Sequence, residues 1–323
     1  MKKKLQDCLI IGSGICGLMA AHRLTKQGMV VTILDKGRGA GGRIATRRLA
    51  TSGGIEAVAD YGAQFVTVSD RKLKPFMDEW RKSGILKLWY QDEKKNDRYI
   101  GIHGLRDITR HLARNLTVHQ QKKVIQISHE GNWIVKNTDD SCFQADVLIL
   151  TPPLPQSLEL LRLGNIPLEK SLLSELQKIR YTKCIAIMGI PKKPGLIPSP
   201  GGLQLREGPV QWIADNQKKG ISPHCPSITI HAEHQFSEEY YEKPDEEIVS
   251  VLGNAVKDWI SGEWETVKIH RWKYSRPVTF FPELSLLLRN PGPLVLAGDA
   301  FSNARVESAA LSGLDAADKL LQH

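Results

Sequence analysis

Continuous apolar runs separated by a helical pattern mark the beginning of the chain. Residues 5–11 form one such run, and residues 29–34 form a second. Between them, apolar residues recur at helical spacing up to about Gln27, and Gly28 provides a stop signal. Continuous apolar runs are typical of strands buried on both faces of a parallel sheet. The pattern therefore predicts a strand–helix–strand unit at the start of the fold.

The rest of the chain mixes helical and strand patterns. Helical spacing predicts helices at 69–83, 105–115 and 168–179, another that Pro244 opens, and a last one from about Glu307 onward. An antiparallel set of strands is predicted at 116–118, 124–128 and 133–136. Further strands are predicted at 145–150, 185–190, 210–214, 227–234, 267–274 and 294–297. Residues 36–54 are rich in glycine and arginine and predict a loop.

Composition and charge narrow the function classes. Of 323 residues, 41% are hydrophobic and 24% are charged, which excludes disorder, collagen and coiled coil as the main state. The net charge of +9 is scattered, so it fits an anionic small ligand as well as nucleic acid. We expect no membrane span, because no apolar stretch reaches the roughly 18 residues that a spanning helix needs. We also expect no signal peptide, because glycines break the first apolar segment. The five cysteines form no CxxC pair, so we expect a reducing, cytoplasmic location without disulfides or a metal site.

A glycine-rich loop carries the first chemical signal. Gly12, Gly14 and Gly17 follow the first strand and open the first helix, and Asp35 ends the next strand, close to the roughly 20-residue spacing of dinucleotide-binding folds. Gly12 permits a tight turn, Gly14 the approach of a pyrophosphate, and Gly17 close helix–strand packing. The helix N-terminus offers free N–H groups to phosphates, and Asp35 can accept hydrogen bonds from ribose hydroxyls. The alternative is a glycine-rich packing turn.

The segment after Asp35 separates FAD from NAD. Lys36 leads into a loop that ends with Gly41, Gly42 and Arg43. An acidic strand end followed by a Gly-Gly-Arg loop resembles the amine-oxidase branch of the FAD-dependent oxidoreductases. The resemblance implies that Arg43 reaches the FAD pyrophosphate, and a guanidinium fork suits phosphate oxygens. The alternative is a solvated basic loop, an interpretation that we keep for the nearby Arg47.

A second match to the same branch lies near the C-terminal end. Gly298 and Asp299 follow the last predicted strand, and Val306 and Glu307 open the last helix. The resemblance implies that Asp299 meets ribityl or ribose hydroxyls and that the helix N-terminus faces the flavin pyrimidine. A positive helix end there stabilises negative charge on the reduced flavin. The alternative for Asp299 is an ordinary cap or turn residue.

Longer blocks resemble the renalase-like flavoproteins, and bacterial members in particular. The blocks cover 35–44, 61–65, 231–237, 270–277 and 298–313, in the family's order across nearly the whole chain. The resemblance implies that Cys16, Gln64 and Phe65 lie at the FAD and that Val124 meets its adenine end through the backbone. Cys16 is equally acceptable as a small buried filler.

The resemblance also implies a reaction and its partners. Renalase-like enzymes take a hydride from isomeric dihydronicotinamide dinucleotides (2- or 6-dihydro-NAD(P)) onto flavin, release β-NAD(P)+ and, with dioxygen as acceptor, form hydrogen peroxide. Hydride loss restores the aromatic ring, so no catalytic side chain is required beyond the flavin. We expect a small dinucleotide substrate and neither nucleic acid nor membrane as partner. An amine oxidase or desaturase, and a non-enzymatic flavin-binding protein, are the rival hypotheses.

Substrate-side residues are predicted from strand faces. His231 shares a face with Gln235 if the strand at 227–234 continues, and Trp272, Tyr274 and Arg276 share a face of the next strand. An aromatic wall beside a polar tip suits a carboxamide-bearing ring. The alternative places Trp272 and Tyr274 in a hydrophobic core.

Two domains follow from the length, because one domain usually takes about 100–200 residues. We predict an α/β fold with a Rossmann-like FAD-binding domain and an inserted α+β substrate domain that has a mixed sheet plus helices. The FAD-binding domain is predicted to be discontinuous, from residues 1–70, 105–155 and 285–323. The substrate domain takes residues 71–104 and 156–284.

Overall fold

Six strands form the sheet that joins the two ends of the chain. The structure is a computed structural model that describes residues 6–260 and 263–322. The strands are β1 (Asp7–Ile11), β2 (Val30–Leu34), β7 (Thr117–His119), β11 (Val147–Leu150), β17 (Ser285–Leu288) and β18 (Leu294–Ala297). Their order is β17-β18-β11-β1-β2-β7, and every neighbouring pair is parallel except β17 with β18. The strand–helix–strand unit predicted at the start is therefore β1, α1 (Ile15–Lys26) and β2.

Alternate residues of β1 send their side chains into two separate cores. Ile10 lies in the core under α1, α3 (Asp107–Ala113) and α8 (Val306–Leu321). Leu9 and Ile11 lie in a second core on the opposite face. That second core also takes Trp133, which is fully buried. Because both faces are covered, the strands read as continuous apolar runs in the sequence.

The second core is closed by a small antiparallel sheet and two helices. The elements are β8 (Val124–His129), β9 (Trp133–Asn137), β10 (Cys142–Ala145), α4 (Leu154–Leu163) and α5 (Lys170–Gln177). The prediction of one antiparallel set was wrong for β7, which joins the six-stranded sheet in parallel with β2. A three-residue strand carries too few positions for its pattern to distinguish the two environments.

A five-stranded sheet forms the other half of the molecule. In the order β13-β14-β15-β12-β16, its strands are β13 (Gly202–Gln204), β14 (Val210–Asp215), β15 (Ile228–Ala232), β12 (Tyr181–Pro191) and β16 (Trp264–Pro277). All of its described pairings are antiparallel, where the sequence predicted a mixed sheet. One face packs Ile187 and Ile230 against Ile248 and Leu252 of α7 (Asp245–Ala255).

Two hairpins and a helix complete the fold. They are β3 (Thr46–Ala50) with β4 (Glu56–Asp60), β5 (Leu86–Gln91) with β6 (Asp97–Gly101), and α2 (Lys74–Lys82). The prediction of a loop over 36–54 was wrong in its last part, because β3 begins at Thr46. Helix α2 starts after Leu73 rather than at a cap near residue 69.

The strand predicted at 227–234 ends early, at Ala232. Glu233 takes the N-cap position of α6 (His234–Glu239), and its carboxylate accepts hydrogen bonds from the Gln235 and Phe236 amides. The proposed domain boundaries stay a prediction. Among the described residues, no helix is both long enough and apolar enough to span a membrane.

Candidate functional site

The turn between β1 and α1 leaves an open space in front of a helix N-terminus. Gly12 has φ +103°, and a Cβ there would lie 2.5 Å from Thr151 Oγ1. Gly17 packs so closely that a Cβ would lie 2.1 Å from Gly12 O. At Gly14, by contrast, a Cβ would meet no atom within 4 Å, and the helix begins without a side-chain cap. The first-turn amides of α1 are therefore available to an anion.

The loop that ends in Arg43 lies directly against this turn. Gly41 donates its amide hydrogen to Ser13 O at 3.0 Å. Gly42 has φ +58°, and a Cβ added to it would lie 3.4 Å from Gly14 Cα. A side chain at Gly42 would thus have a strained backbone and would lie against the turn between β1 and α1. The two glycine motifs, separate in the sequence, form one surface.

Asp35 fixes the turn between β1 and α1, and one of its oxygens can still accept a hydrogen bond. Its Oδ2 accepts hydrogen bonds from Ser13 N and Ser13 Oγ at 2.6 and 2.7 Å, and its Oδ1 accepts one from Gly37 N at 2.6 Å. A carboxylate has about four lone-pair sites, so about one stays open on Oδ1 for a ribose hydroxyl. Lys122 N donates to Asp35 O at 2.8 Å, which brings the segment before Val124 beside it. Lys36 is exposed.

Arg43 and Asp299, predicted as two separate cofactor contacts, pair with each other. The Arg43 guanidinium donates from Nη1 to Asp299 Oδ2 at 2.5 Å and from Nη2 to Oδ1 at 2.7 Å. The Tyr181 hydroxyl donates to the same carboxylate at 3.2 Å, and the pKa of Tyr181 is raised by burial and by Asp299. Arg43 Nη1 also donates to the backbone oxygens of Tyr274 and Ser275. The pair therefore ties the loop that ends in Arg43 to the six-stranded and the five-stranded sheets.

A second helix N-terminus lies at the other end of the site. Helix α8 begins at Val306 after Arg305, with no side-chain cap. The buried Glu307 carboxylate accepts hydrogen bonds from the Ser69 and Asp70 amides at 2.6 and 2.7 Å, so it holds a neighbouring loop.

Cys16 lies where α1 and α8 touch. Its Sγ is 3.9 Å from Ser312 Oγ, and burial raises its pKa to about 12. A Cβ on Gly313 would lie 2.1 Å from Cys16 O, so the two helices meet backbone to backbone. A thiol with so high a pKa stays protonated at neutral pH and acts as packing.

Gln64 is held by a buried ion pair that the sequence did not reveal. Its Nε2 donates to Asp60 O at 2.8 Å and to Gly62 O at 3.2 Å. Lys219 Nζ lies 2.9 Å from Asp60 Oδ2 and 3.5 Å from Gln64 Oε1, and both charged side chains are 0% exposed. Burial lowers the pKa of Lys219, while Asp60 opposes that shift. Lys219 follows Lys218, and such a pair in a sequence normally indicates solvated side chains.

Phe65 stands among aromatic rings whose faces are taken by the protein's own cations. Its ring centroid lies 6.4 Å from Trp89 and 6.0 Å from Trp212. The Arg98 guanidinium lies 4.2 Å from the Phe65 centroid, and Lys219 Nζ lies 5.3 Å from that of Trp89. Each cation is itself paired with a carboxylate, Arg98 with Asp92 and Lys219 with Asp60, so these contacts occupy ring faces without leaving a net positive charge.

Among the predicted substrate-side residues, His231 is the one that lies beside Gln64. Its Nε2 is 3.1 Å from Tyr61 O, and burial lowers its pKa to about 4, so the ring is neutral near pH 7. Because the carbonyl can only accept, Nε2 carries the proton. Trp272 donates from Nε1 to the same Tyr61 O at 3.0 Å and stacks on the Tyr61 ring.

The other predicted substrate residues lie elsewhere. Tyr274 packs its ring on Tyr181, 5.6 Å between centroids, beside the Arg43–Asp299 pair. Arg276 is exposed near the end of β16. Gln235 is exposed on α6, so the expectation that it shares a strand face with His231 was wrong.

The residues present fit an FAD molecule. The open space before Gly14, at an uncapped N-terminus of a 12-residue helix, suits a pyrophosphate. The second uncapped helix, α8, would face a negatively charged ring edge. The assignment of individual residues to FAD stays a prediction.

Comparisons with known proteins agree with this geometry. Residues 10–80 match the model of the NAD(P)-binding Rossmann-like domain, and residues 81–321 match that of the flavin containing amine oxidoreductases. The chain is 27% identical to renalase from Mus musculus over 336 aligned positions, which cover 95% of this chain and 96% of renalase. The resemblance to renalase-like proteins is thereby confirmed, while the one to bacterial members stays a prediction.

Solved structures share the fold. A protein from Exiguobacterium sp. 255-15 assigned as a protoporphyrinogen oxidase superposes with a TM-score of 0.77, at 15% identity, over 98% of this chain and 99% of its own. Putrescine oxidase bound to putrescine superposes with a TM-score of 0.68, at 14% identity, over 98% and 99%. The predicted fold class, a Rossmann-like domain with a second substrate domain, is confirmed.

Proposed function

The chain belongs to the family of flavin containing amine oxidoreductases, and we propose that it is an FAD-dependent oxidase of isomeric dihydronicotinamide dinucleotides. The substrate would be a 2- or 6-dihydro-NAD(P), and β-NAD(P)+ and hydrogen peroxide would be the products. When bound, FAD would accept the hydride and dioxygen would take the two electrons on to hydrogen peroxide. Similarity to mouse renalase over 95% of the chain supports this choice within the family.

The aromatic rings around Phe65 support the choice of substrate. An alkyl amine is a cation near pH 7, and an aromatic cage would bind it over ring faces. Arg98 and Lys219 already lie over the rings of Phe65 and Trp89, and each is paired with a carboxylate of the protein, so these faces are engaged internally. A neutral dihydropyridine ring requires no free cation-binding face.

The side chains around the site can position a substrate without taking a proton from it. His231 is neutral, its Nε2–H is bound to Tyr61 O, and its pKa of about 4 makes it a weak base. The amide of Gln64 is fixed by Asp60 and Gly62 on one side and by Lys219 on the other. Loss of a hydride from a dihydropyridine leaves an aromatic ring directly, so positioning is the main requirement.

The cofactor-holding roles are divided among the same elements. The amides before α1 and the Arg43 guanidinium would bind the pyrophosphate, and the open oxygen of Asp35 would bind a ribose hydroxyl. Asp299 would accept from the ribityl chain while it keeps Arg43 in place. The N-terminus of α8 would stabilise negative charge at the pyrimidine edge.

Anaerobic flavin reduction tests the proposal. The purified protein is mixed with 2- and 6-dihydro-NAD(P) isomers, with ordinary β-NAD(P)H, and with a panel of amines that includes putrescine. We expect the flavin absorbance to bleach rapidly with an isomeric dihydronicotinamide and slowly or not at all with amines. Rapid bleaching by an amine alone would establish an amine oxidase instead. No bleaching by any of them would favour a non-enzymatic flavin-binding protein.

A further inference from the structure

We propose that a cavity beside Gln64 and Val306 binds the pyrophosphate of the dinucleotide substrate, with Arg81 and Arg305 as the groups that hold it. This inference rests on the proposed function, since it assigns the tail of that substrate to a place. Sequence patterns alone do not reveal such a subsite, because its residues come from four separated segments.

The cavity has the size and the position that a substrate tail needs. Its volume is about 790 Å³, within the range of about 300–1,000 Å³ that ligand pockets occupy. It extends from Gln64 and Phe65, and from Val306 at the start of α8, to the walls formed by α2 and by the β5–β6 hairpin. Neither Gly14 nor Arg43 is among its lining residues, so it is separate from the surface that fits the FAD pyrophosphate.

The charges that line the cavity favour an anion. Five cations line it, namely Lys74, Arg81, Lys95, Arg98 and Arg305, against three carboxylates, Asp78, Asp92 and Asp97. Two of these carboxylates are engaged inside the protein. Asp92 accepts hydrogen bonds from Asn96 and Arg98, and Asp97 accepts them from Gln91 and the Tyr99 hydroxyl. The lining cations that the protein leaves available to a ligand therefore outnumber the available carboxylates.

Arg81 and Arg305 are the two arginines of the lining that form no ion pair within 4.0 Å among the described residues. The pKa of Asp97 is lowered first by its hydrogen bonds from Tyr99 and Gln91 and, to a smaller extent, by the charge of Arg81. In the described ranges, 6–260 and 263–322, no acidic oxygen lies within 4.0 Å of either guanidinium, whereas Arg98 is paired with Asp92. Arg81 projects over the Tyr99 ring, 5.6 Å from its centroid, and Arg305 directly precedes α8. They approach the cavity from different elements, and two guanidinium forks match the oxygens of a pyrophosphate.

The test separates binding of the tail from oxidation of the ring. Titration calorimetry on the FAD-loaded protein measures the Kd of ADP-ribose, which has the pyrophosphate without nicotinamide, and of nicotinamide riboside, which has the ring without pyrophosphate. The variants are Arg81→Gln and Arg305→Gln. Arg289→Gln is the matched control, because Arg289 is also exposed and does not line the cavity. Flavin content is measured from absorbance for each protein.

We expect each cavity variant to weaken ADP-ribose binding about tenfold or more, as for a charged hydrogen bond, and to leave riboside binding unchanged. The control should stay within about twofold for both ligands. Equal ADP-ribose affinity in wild type and both cavity variants would overturn the subsite, as would an equal loss for the riboside.

The two proposals fail in different ways. If ADP-ribose binding depends on Arg81 and Arg305 but no dihydronicotinamide bleaches the flavin, the subsite stands and the proposed oxidase activity is wrong. If the flavin bleaches normally with dihydronicotinamide dinucleotides in both variants and ADP-ribose affinity is unchanged, the activity stands and the subsite is wrong.

Discussion

Removing Lys219 should destabilise the protein far more than removing a half-buried lysine of an ion pair. Lys219 and Asp60 are 0% exposed, with 2.9 Å between Nζ and Oδ2. In Lys219→Met the Asp60 carboxylate keeps hydrogen bonds from Thr46 Oγ1 and Leu105 N but loses its only described charge partner. Breaking a buried pair on one side costs about 3–5 kcal/mol, because the other charge stays buried.

The magnitude can be converted into a melting temperature. Unfolding entropy is about 2.1 cal/mol/K per residue, which is roughly 0.7 kcal/mol/K for 323 residues. A loss of about 3–5 kcal/mol therefore predicts a Tm roughly 4–7 °C below that of wild type. Differential scanning calorimetry at fixed protein and FAD concentration measures it, because bound ligand itself raises Tm.

Two further variants separate charge from packing. In Lys219→Met with Asp60→Asn both charges are absent, so we expect most of the lost stability to return. Lys183→Met is the control, because Lys183 pairs with Glu238 at 28% and 48% exposure. That pair is worth about 1 kcal/mol at most, or roughly 1–2 °C. If Lys219→Met melts like the control, or if the double variant is no better than Lys219→Met, the buried-pair reasoning is wrong.

Three other predictions concern the flavin and the reaction. The protein should purify yellow, and acid precipitation should release FAD into the supernatant; flavin left in the pellet would contradict non-covalent binding. Arg43→Ala should weaken FAD binding by about 1.5–3 kcal/mol, as for charged hydrogen bonds, and Arg47→Ala by much less, because Arg47 lies over the Tyr61 ring; equal losses would show that the phosphate contact is misplaced. Anaerobic flavin reduction by a 6-dihydronicotinamide isomer should show no limb from His231 between pH 6 and 9, since a pKa lowered to about 4 keeps the ring neutral throughout. His231→Ala and Tyr274→Phe should weaken or misorient the substrate without abolishing reduction, and a wild-type limb that vanishes in His231→Ala would favour a base-assisted oxidation.

The ends of the chain were predictable because their physics is local. β1, β2 and β18 are buried on both faces, so each reads as an apolar run whose length fits a strand. The turn between β1 and α1 is also local, since glycine is required at positions 12 and 17 by close approach of Thr151, Gly12 O and Ile10. In such segments the hydrophobic pattern of the sequence matches the burial of the side chains.

The middle of the chain was less predictable because its environment comes from distant residues. β3 carries Arg47 and Arg48, so its sequence favours a loop, and only pairing with β4 makes it a strand. β15 ends where Glu233 caps a helix, and glutamate is not among the preferred N-cap residues, so the signal was missed. Lys219 is distinguished from any surface lysine only by Asp60, which lies 159 positions away.

The Arg43–Asp299 pair shows why remote motifs of this fold belong together. Each residue was predicted from its own segment as a contact to a different part of the cofactor, yet their side chains are 2.5 Å apart. Arg43 Nη1, which takes part in this bidentate pair, also donates to the Tyr274 and Ser275 oxygens of the second sheet. A lysine has one compact charge and could not span the Asp299 carboxylate and both carbonyls in the same way. We therefore expect Arg43→Ala to disturb the placement of the two sheets as well as the proposed phosphate contact, so a measured loss of FAD affinity in this variant would include both effects.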